Sequence, residues 1–99
     1  MKQDAYRQGD VILVPVKEIK GDKENHLVLA EGEVTGHAHR VSIGEAALYK
    51  FDEQFYLKVQ SEIATLTHEE HGPIELPAGN YKVIKQREYT PRGNRQVED

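Results

Sequence analysis

The sequence predicts an all-β fold, a small antiparallel barrel or sandwich of about seven short strands with little helix. Three observations carry that expectation. Apolar and polar residues alternate over several short stretches, Gly, Pro, Asn and Asp punctuate the gaps between them, and no window shows the periodicity of an amphipathic helix. At 99 residues the chain suits one unit with a single modest core. The expected organisation is one β domain over 1–99, with polar tails over roughly 1–8 and 90–99.

Taken in order, residues 1–8 are polar and read as loose. Val11-Ile12-Leu13-Val14-Pro15-Val16 is apolar on both faces, so it reads as a central strand in which Pro15 removes one ladder donor. Lys20 to Asn25 reads as a polar loop, and strand pattern resumes from Leu27 to Val34. Over 37–43, His37, His39, Val41 and Ile43 face one way while Ala38, Arg40 and Ser42 face the other. Leu48 to Lys50 and Gln54 to Val59 flank the acidic turn Asp52-Glu53 as a hairpin, with Phe55, Leu57 and Val59 inward and Tyr56 and Lys58 outward. Glu62 to Thr67 alternates again. His68-Glu69-Glu70-His71-Gly72-Pro73 breaks the pattern as a turn, Leu76 to Tyr81 carries strong turn residues, and Tyr81 to Tyr89 reads as a last strand before a polar tail.

With 37% hydrophobic and 30% charged residues, the composition is that of a folded domain with a wet surface. Cysteine is absent, which excludes disulfide staples, thiolate metal sites and a thiol nucleophile. The longest apolar run is far shorter than the roughly 20 residues of a membrane helix, and no signal-like segment opens the chain, so no membrane role and a cytoplasmic setting are expected. Net charge is −4, yet Lys82, Lys85, Arg87, Arg92 and Arg95 face only Glu88 along 82–95. That local excess admits nucleic-acid binding, with Tyr81 and Tyr89 as stacking platforms, or simply a charged strand with one wet face.

The chemistry-bearing feature is histidine. Four of the five histidines fall in two pairs, His37-Ala38-His39 and His68-Glu69-Glu70-His71. Residues two apart on a strand share a face, their Cα atoms separated by roughly 6.6 Å, so both imidazoles can reach one cation. Residues three apart converge on a helical turn and diverge on a strand. His37, His39, His68 and His71 are therefore candidate ligands for a divalent transition metal (Zn²⁺, Fe²⁺, Mn²⁺, Ni²⁺ or Cu²⁺), with Glu45, Glu69 or Glu70 able to add a carboxylate oxygen. An open coordination position would allow activated-water chemistry, with Glu69 or Glu70 as general base. The same histidines read equally as core or turn residues satisfied by hydrogen bonds, or as metal-free acid–base groups. His26 stands alone beside a loop. Arg40 reads as binding an anion together with Arg87, or as pairing at the surface with Glu33 or Glu45. No phosphate-cradling Gly-rich loop or nucleophile elbow is present, and Ser42 and Ser61 lack a nucleophile's context.

Gly32 to Arg40, containing Thr35-Gly36-His37-Ala38-His39-Arg40, and Leu66 to Pro73, containing His68-Glu69-Glu70-His71-Gly72-Pro73, resemble a set of small uncharacterised bacterial and phage-encoded proteins. The resemblance extends to Leu76-Pro77-Ala78-Gly79 and Gln86-Arg87-Glu88-Tyr89, and it implies a bacterial or phage cytosol without implying a chemistry. A fainter likeness is to cupins, whose first motif matches His37 and His39 and whose P-x-G turn matches Pro77-Ala78-Gly79. Glu45 lies further along than the cupin glutamate, and Lys82 stands where the last cupin histidine belongs, so a cupin-like site would need His68 or His71 instead. In length and β pattern the chain is also similar to ring-forming co-chaperonins, with Leu27-Val28-Leu29 in place of their apolar tripeptide, which implies a homo-oligomer.

Three functions follow as expectations. The first is a small β metalloprotein using the four histidines, with a structural metal or a hydrolytic or oxidative site. The second is a non-catalytic oligomeric binding or assembly module with structural histidines, and the third is nucleic-acid binding through the basic C-terminal strand.

Overall fold

A computed structural model describes residues 5–31 and 36–85. In chain order the strands are β1 (Tyr6–Gln8), β2 (Val11–Val16), β3 (Asp22–Lys23), β4 (Val28–Glu31), β5 (Ala38–Ile43), β6 (Ala46–Phe51), β7 (Gln54–Thr67) and β8 (Ile74–Lys85). All pairings are antiparallel, and the described residues contain no helix, hence none long and apolar enough to cross a membrane. The all-β antiparallel fold is as predicted. Its sheet is open rather than a closed barrel: the strand path runs β1-β2-β8-β7-β5-β4, with β6 beside the first half of β7 and β3 outside β6.

Two long strands organise everything else. One edge of β7 carries β8 along most of its length, and the other carries β6 at Gln54–Val59 and β5 at Thr65–Thr67. Between Val59 and Ile63 the register with β8 shifts, because β7 advances from 59 to 63 while β8 moves only from Gly79 to Pro77. Extra residues on one strand bend it and sharpen its twist. The bulge is held from the β5–β6 turn: the Glu45 carbonyl accepts from the amides of Gln60 (2.8 Å) and Ser61 (3.2 Å), and the Glu45 amide donates to Ser61 Oγ at 2.9 Å. Gly44 sits in this turn with φ 98°, and a Cβ there would lie 2.6 Å from the Ile63 carbonyl oxygen, so the close approach requires glycine.

The bend folds the two halves of the sheet over one apolar cluster. Leu13 of β2, Leu29 of β4, Leu48 of β6, Leu57 and Leu66 of β7 and Leu76 of β8 are fully or almost fully buried in it, and Tyr81 packs among them. The inward sets of alternating residues on β2, β6 and β7 supply this cluster, as period-two alternation dictates.

Several sequence expectations are corrected. Residues 6–8, read as loose, form β1 and pair with Val11–Leu13, and Gln8 is buried. The polar loop at 20–25 includes β3, which pairs with Tyr49 and Lys50. Glu62–Thr67 is the second half of β7 rather than a separate strand, and Leu76 to Tyr81, read as a turn, runs through the interior of β8. The turn chemistry there serves the bend instead: Gly79, at φ 151°, lies opposite the β7 bulge, and the Tyr81 hydroxyl donates to the Pro77 carbonyl at 2.7 Å. Pro77 is tolerated because β2 pairs only with Asn80–Lys85, leaving the outer edge of β8 free at that point. Tyr56, expected to face solvent, is buried, and Ile43, expected inward, is exposed because the β5–β7 register shifts between Val41 and Ile43. Thr90 to Asp99, read as a tail, lies outside the described residues.

Candidate functional site

Three chain segments meet where the folded-over sheet comes back on itself: the β1–β2 turn, the start of β5, and the β7–β8 turn. The β1–β2 turn has two central residues, Gly9 and Asp10, between the paired Gln8 and Val11. Gly9 takes φ 61°, the positive value that tight hairpins place on glycine. A Cβ on Gly9 would fall 2.5 Å from Nε2 of His71, so the bare backbone is the surface on which that imidazole lies.

All four histidines of the two pairs come together. The His39 and His68 rings are 4.3 Å apart, His68 and His71 4.7 Å, His37 and His68 5.7 Å in an edge-to-face arrangement, and His39 and His71 6.0 Å in a nearly parallel stack. The second pair converges without the helical turn that its spacing seemed to require. Residues 69–71 form a bend, fixed in part by the Glu70 amide donating to His68 Nδ1 at 3.0 Å.

His39 is the most constrained of the four. It is 2% exposed, and its Nδ1 lies 2.9 Å from Gln8 Oε1. Gln8 Nε2 donates to the carbonyls of Leu66 and Gly72, both at 2.9 Å, which fixes the amide with its oxygen toward His39. An amide oxygen only accepts, so Nδ1 carries the proton and Nε2 holds the lone pair. Burial, then the neighbouring His68, holds the His39 pKa below its ordinary 6.5, with His71 acting in the same direction and Asp10 opposing. Its Nε2 nevertheless faces Asp10 Oδ1 across 3.5 Å, so two acceptor atoms confront each other. His37 shows a related imbalance, since its Nδ1 is buried without a hydrogen-bond partner among the described residues and lies 3.5 Å from Glu70 Oε2.

Glu69 anchors the β7–β8 turn to β5. Its Oε1 accepts the Ala38 amide at 2.9 Å and its Oε2 accepts from Arg40 Nη1 at 3.2 Å. The Ala38 amide is the main reason, with Arg40 assisting, that its pKa falls from 4.5 to about 2. Glu69 is therefore a permanent carboxylate and a poor proton acceptor at neutral pH, with lone pairs to spare for a cation. His37, His68 and Glu69 each offer one ligand atom, all within 4.8 Å of one another, so this group can hold a metal ion. Imidazole with carboxylate is a donor set for the borderline transition metals.

Sequence reasoning found the four histidines and both glutamates but missed Gln8, Gly9 and Asp10. A Gly-Asp pair between Tyr6-Arg7-Gln8 and an apolar strand is itself a two-residue hairpin signal, and it would have placed them. Glu45 lies with the bulge, not with the histidines. Arg40 pairs with Glu69 rather than Glu45, and His26 makes a separate 3.5 Å contact with Glu24. Ser42 Oγ bonds Thr67 Oγ1 at 2.6 Å. Of the residues read as nucleic-acid contacts, Lys82 and Lys85 lie on β8, while Arg87, Tyr89, Arg92 and Arg95 fall outside the described residues. Tyr81 is corrected: it is 2% exposed, its ring meets Tyr6 edge-on at 5.9 Å, and no face is free for a base.

No curated protein and no solved structure matches the chain. Residues 7–86 match a family model, and that stretch includes every segment of the histidine cluster. The chain thus belongs to the family described as Domain of unknown function (DUF8820).

Proposed function

We propose that the chain is a small β metalloprotein whose histidine cluster holds a divalent transition metal ion such as Zn²⁺, Fe²⁺, Mn²⁺, Ni²⁺ or Cu²⁺. The observation that carries this reading is the convergence of four imidazoles from two distant segments, with His37, His68 and Glu69 offering ligand atoms within 4.8 Å. His37 Nδ1 is buried without a hydrogen-bond partner among the described residues, a cost of about 1–3 kcal/mol that coordination through that atom would remove.

In this reading His37 and His68 are ligands, Glu69 is the carboxylate ligand held ready by Ala38 and Arg40, and His39 and His71 complete the nitrogen-rich surround. Loading His68 changes its hydrogen bonding, because Nδ1 now accepts the Glu70 amide, which places the neutral ring's proton on Nε2. Coordination through either nitrogen must therefore disturb that bond, and metal binding rearranges the 68–70 bend. Glu70, exposed beside His37, is the carboxylate available to a metal-bound water if a coordination position stays open.

Elemental analysis of tag-free protein purified without chelator tests the reading, compared with a His37→Ala/His68→Ala double variant. Near-stoichiometric metal in the parent and none in the variant is expected. A parent that carries no metal and cannot be reconstituted would sink the proposal.

A binding or assembly module is the second reading, and the open sheet favours it. The path ends at β1 and β4 rather than closing, and Ile43 and Ile63 remain 64% and 47% exposed near the bulge. It predicts a discrete homo-oligomer by light scattering whose melting temperature ignores chelator; a monomer stabilised by zinc would count against it.

A further inference from the structure

The sheet fails to close at a place that shares no lining residue with the histidine cluster. β7 pairs with β8 no further than Val83, whereas β2 follows β8 to Lys85, so the end of β8 has no partner on the β7 side among the described residues. β4, the last strand of the path, pairs only with β5. Both edges border a cleft made of two adjoining cavities, about 380 and 410 Å³, which share Leu29, Phe55 and Lys85. We infer that this cleft binds a nucleotide, its phosphate on the lysines and its base against Leu29 and Phe55. The inference does not depend on the metal-binding reading.

Charge carries the first part of the argument. Lys50, Lys82 and Lys85 line the first cavity against Glu53 alone, and among the described residues none of the three forms an ion pair. Lys50 Nζ instead stands 5.5 Å from the centroid of the Phe55 ring, which attracts the ammonium without occupying its hydrogen-bond donors. The register sets these groups side by side: Lys50 is opposite Phe55, Phe55 is opposite Val83, and Lys85 follows Val83 on the same face. Ammonium groups act as point charges, and phosphate is an anion they bind well.

The walls carry the second part. Leu29 belongs to the apolar cluster and Phe55 packs against it, so a flat ring entering here meets a fixed apolar surface. Gln54 Nε2 stiffens the rim by donating to the carbonyls of Val83 at 2.6 Å and Phe55 at 2.9 Å. Four consecutive residues of β4, Val28 to Glu31, border the second cavity. Successive side chains on a strand point to opposite faces, so all four meet one cavity along the strand's edge, where unpaired amides and carbonyls project. Those groups suit the donors and acceptors on the edge of a base. Each cavity falls within the roughly 300–1,000 Å³ of small-ligand sites. Lysines, apolar wall and strand edge thus answer to the phosphate, ring face and ring edge of one molecule.

The test is a heteronuclear NMR titration of the full chain with adenosine monophosphate, run beside inorganic phosphate and a short single-stranded DNA. Shifts at Leu29, Phe55, Val83 and Lys85 are expected with the mononucleotide. Affinity should fall roughly tenfold or more in Lys50→Gln/Lys85→Gln, which removes two charged donors. Phe55→Leu keeps an apolar side chain and should weaken the mononucleotide while leaving inorganic phosphate unchanged; thermal melts confirm that each variant is folded, and either variant alone suffices if the other is not. Single-stranded DNA binding at the same residues more tightly than the mononucleotide would support the site and place its nucleotide within a nucleic acid, whereas weaker or equal binding would support a free nucleotide. No shift at these residues at millimolar ligand, or an affinity unchanged in the folded variants, would overturn the proposal. Shifts confined to His37, His68 and their neighbours would also overturn it, since the phosphate would then sit at the histidine centre.

Discussion

The apolar cluster beneath the β7 bend and the histidine cluster at the sheet's returning edge lie in the same small fold and are built on opposite rules. In the first, Leu13, Leu48, Leu57, Leu66 and Leu76 are completely buried, and the backbone polar groups around them are spent in ladders. In the second, a glutamine and a histidine are buried almost as deeply as those leucines, and backbone carbonyls accept from a side chain. The contrast teaches that Gln8 bridges backbone carbonyls where the open sheet approaches itself. Polar residues in a core position weaken folding unless every partner is in place, so their use here points to a purpose other than stability.

Truncation separates the two regions most sharply. Leu57→Ala should cost about 3 kcal/mol, because a fully buried leucine of β7, flanked by Leu48 of β6 and Tyr81 of β8, leaves a cavity in the apolar cluster. Chemical denaturation would measure it, and metal content per folded molecule should not change. Gln8→Ala should cost slightly less, about 2–3 kcal/mol, by stranding the Leu66 and Gly72 carbonyls and His39 Nδ1. Unlike the leucine variant, it should also lower metal affinity, by roughly tenfold or more, because His39 loses the partner that sets its tautomer. A Gln8→Ala protein as stable as the parent would break the comparison, since the amide would then be a bystander.

Gly9→Ala sharpens the same point with a smaller effect. A methyl at φ 61° costs about 1–2 kcal/mol on backbone grounds, and this one must also push aside the His71 ring. The stability loss should be accompanied by a shifted His71 imidazole resonance, with the resonances of Leu48 and Leu57 unmoved. A cost with no change at His71 would assign glycine to the turn alone.

The difference between the regions also explains what the sequence made legible. Period-two alternation exposed the strands that feed the apolar cluster, and β2 and the hairpin around Asp52-Glu53 were readable from their residues. It failed at the end of β5, where an extra residue shifts the pairing with β7 and leaves Ile43 exposed, at Tyr56, which is buried although it alternates with Leu57, and at Leu76-Pro77-Ala78-Gly79, where turn residues bend a continuous strand. The histidines were legible as pairs because spacing on a strand is local information. Their meeting was not, since it depends on how far β7 and β8 bend. Gln8 and Asp10 escaped notice because polar residues near a chain start resemble a tail, and only the Gly-Asp turn between them and β2 argues otherwise.

Acid provides a graded probe of the histidine region. His39 is neutral in the fold because its pKa is held below 6.5, so the unfolded chain binds a proton there that the folded chain does not. Stability of the metal-free protein is therefore full above pH 6.5 and declines as pH falls from 6.5 toward the lowered folded value. Melts between pH 8 and pH 5 should show that slope, and His39→Asn should flatten it. Glu69 adds a second, lower window: its contribution is complete above about 4.5 and is lost as pH falls toward about 2. Identical slopes in the parent and His39→Asn would move the first titration to another group.

The smallest effect should come from Arg40. Its guanidinium reaches Glu69 at 3.2 Å across a pair of side chains 42% and 35% exposed, and such surface pairs are weakened by water and salt. Arg40→Met removes the charge while keeping the aliphatic stem, and Glu69 Oε1 still receives the Ala38 amide. Stability should fall by less than in Gly9→Ala, and the difference from the parent should shrink further in high salt. Because Ala38 is the larger cause of the low Glu69 pKa, the carboxylate should still titrate well below 4.5 by carbon-detected NMR. A larger loss, or a Glu69 titration returning to 4.5, would mean that the ion pair holds the 68–71 bend in place. The histidine cluster would then depend on a surface contact, and the contrast with the deeply buried Gln8 anchor would dissolve.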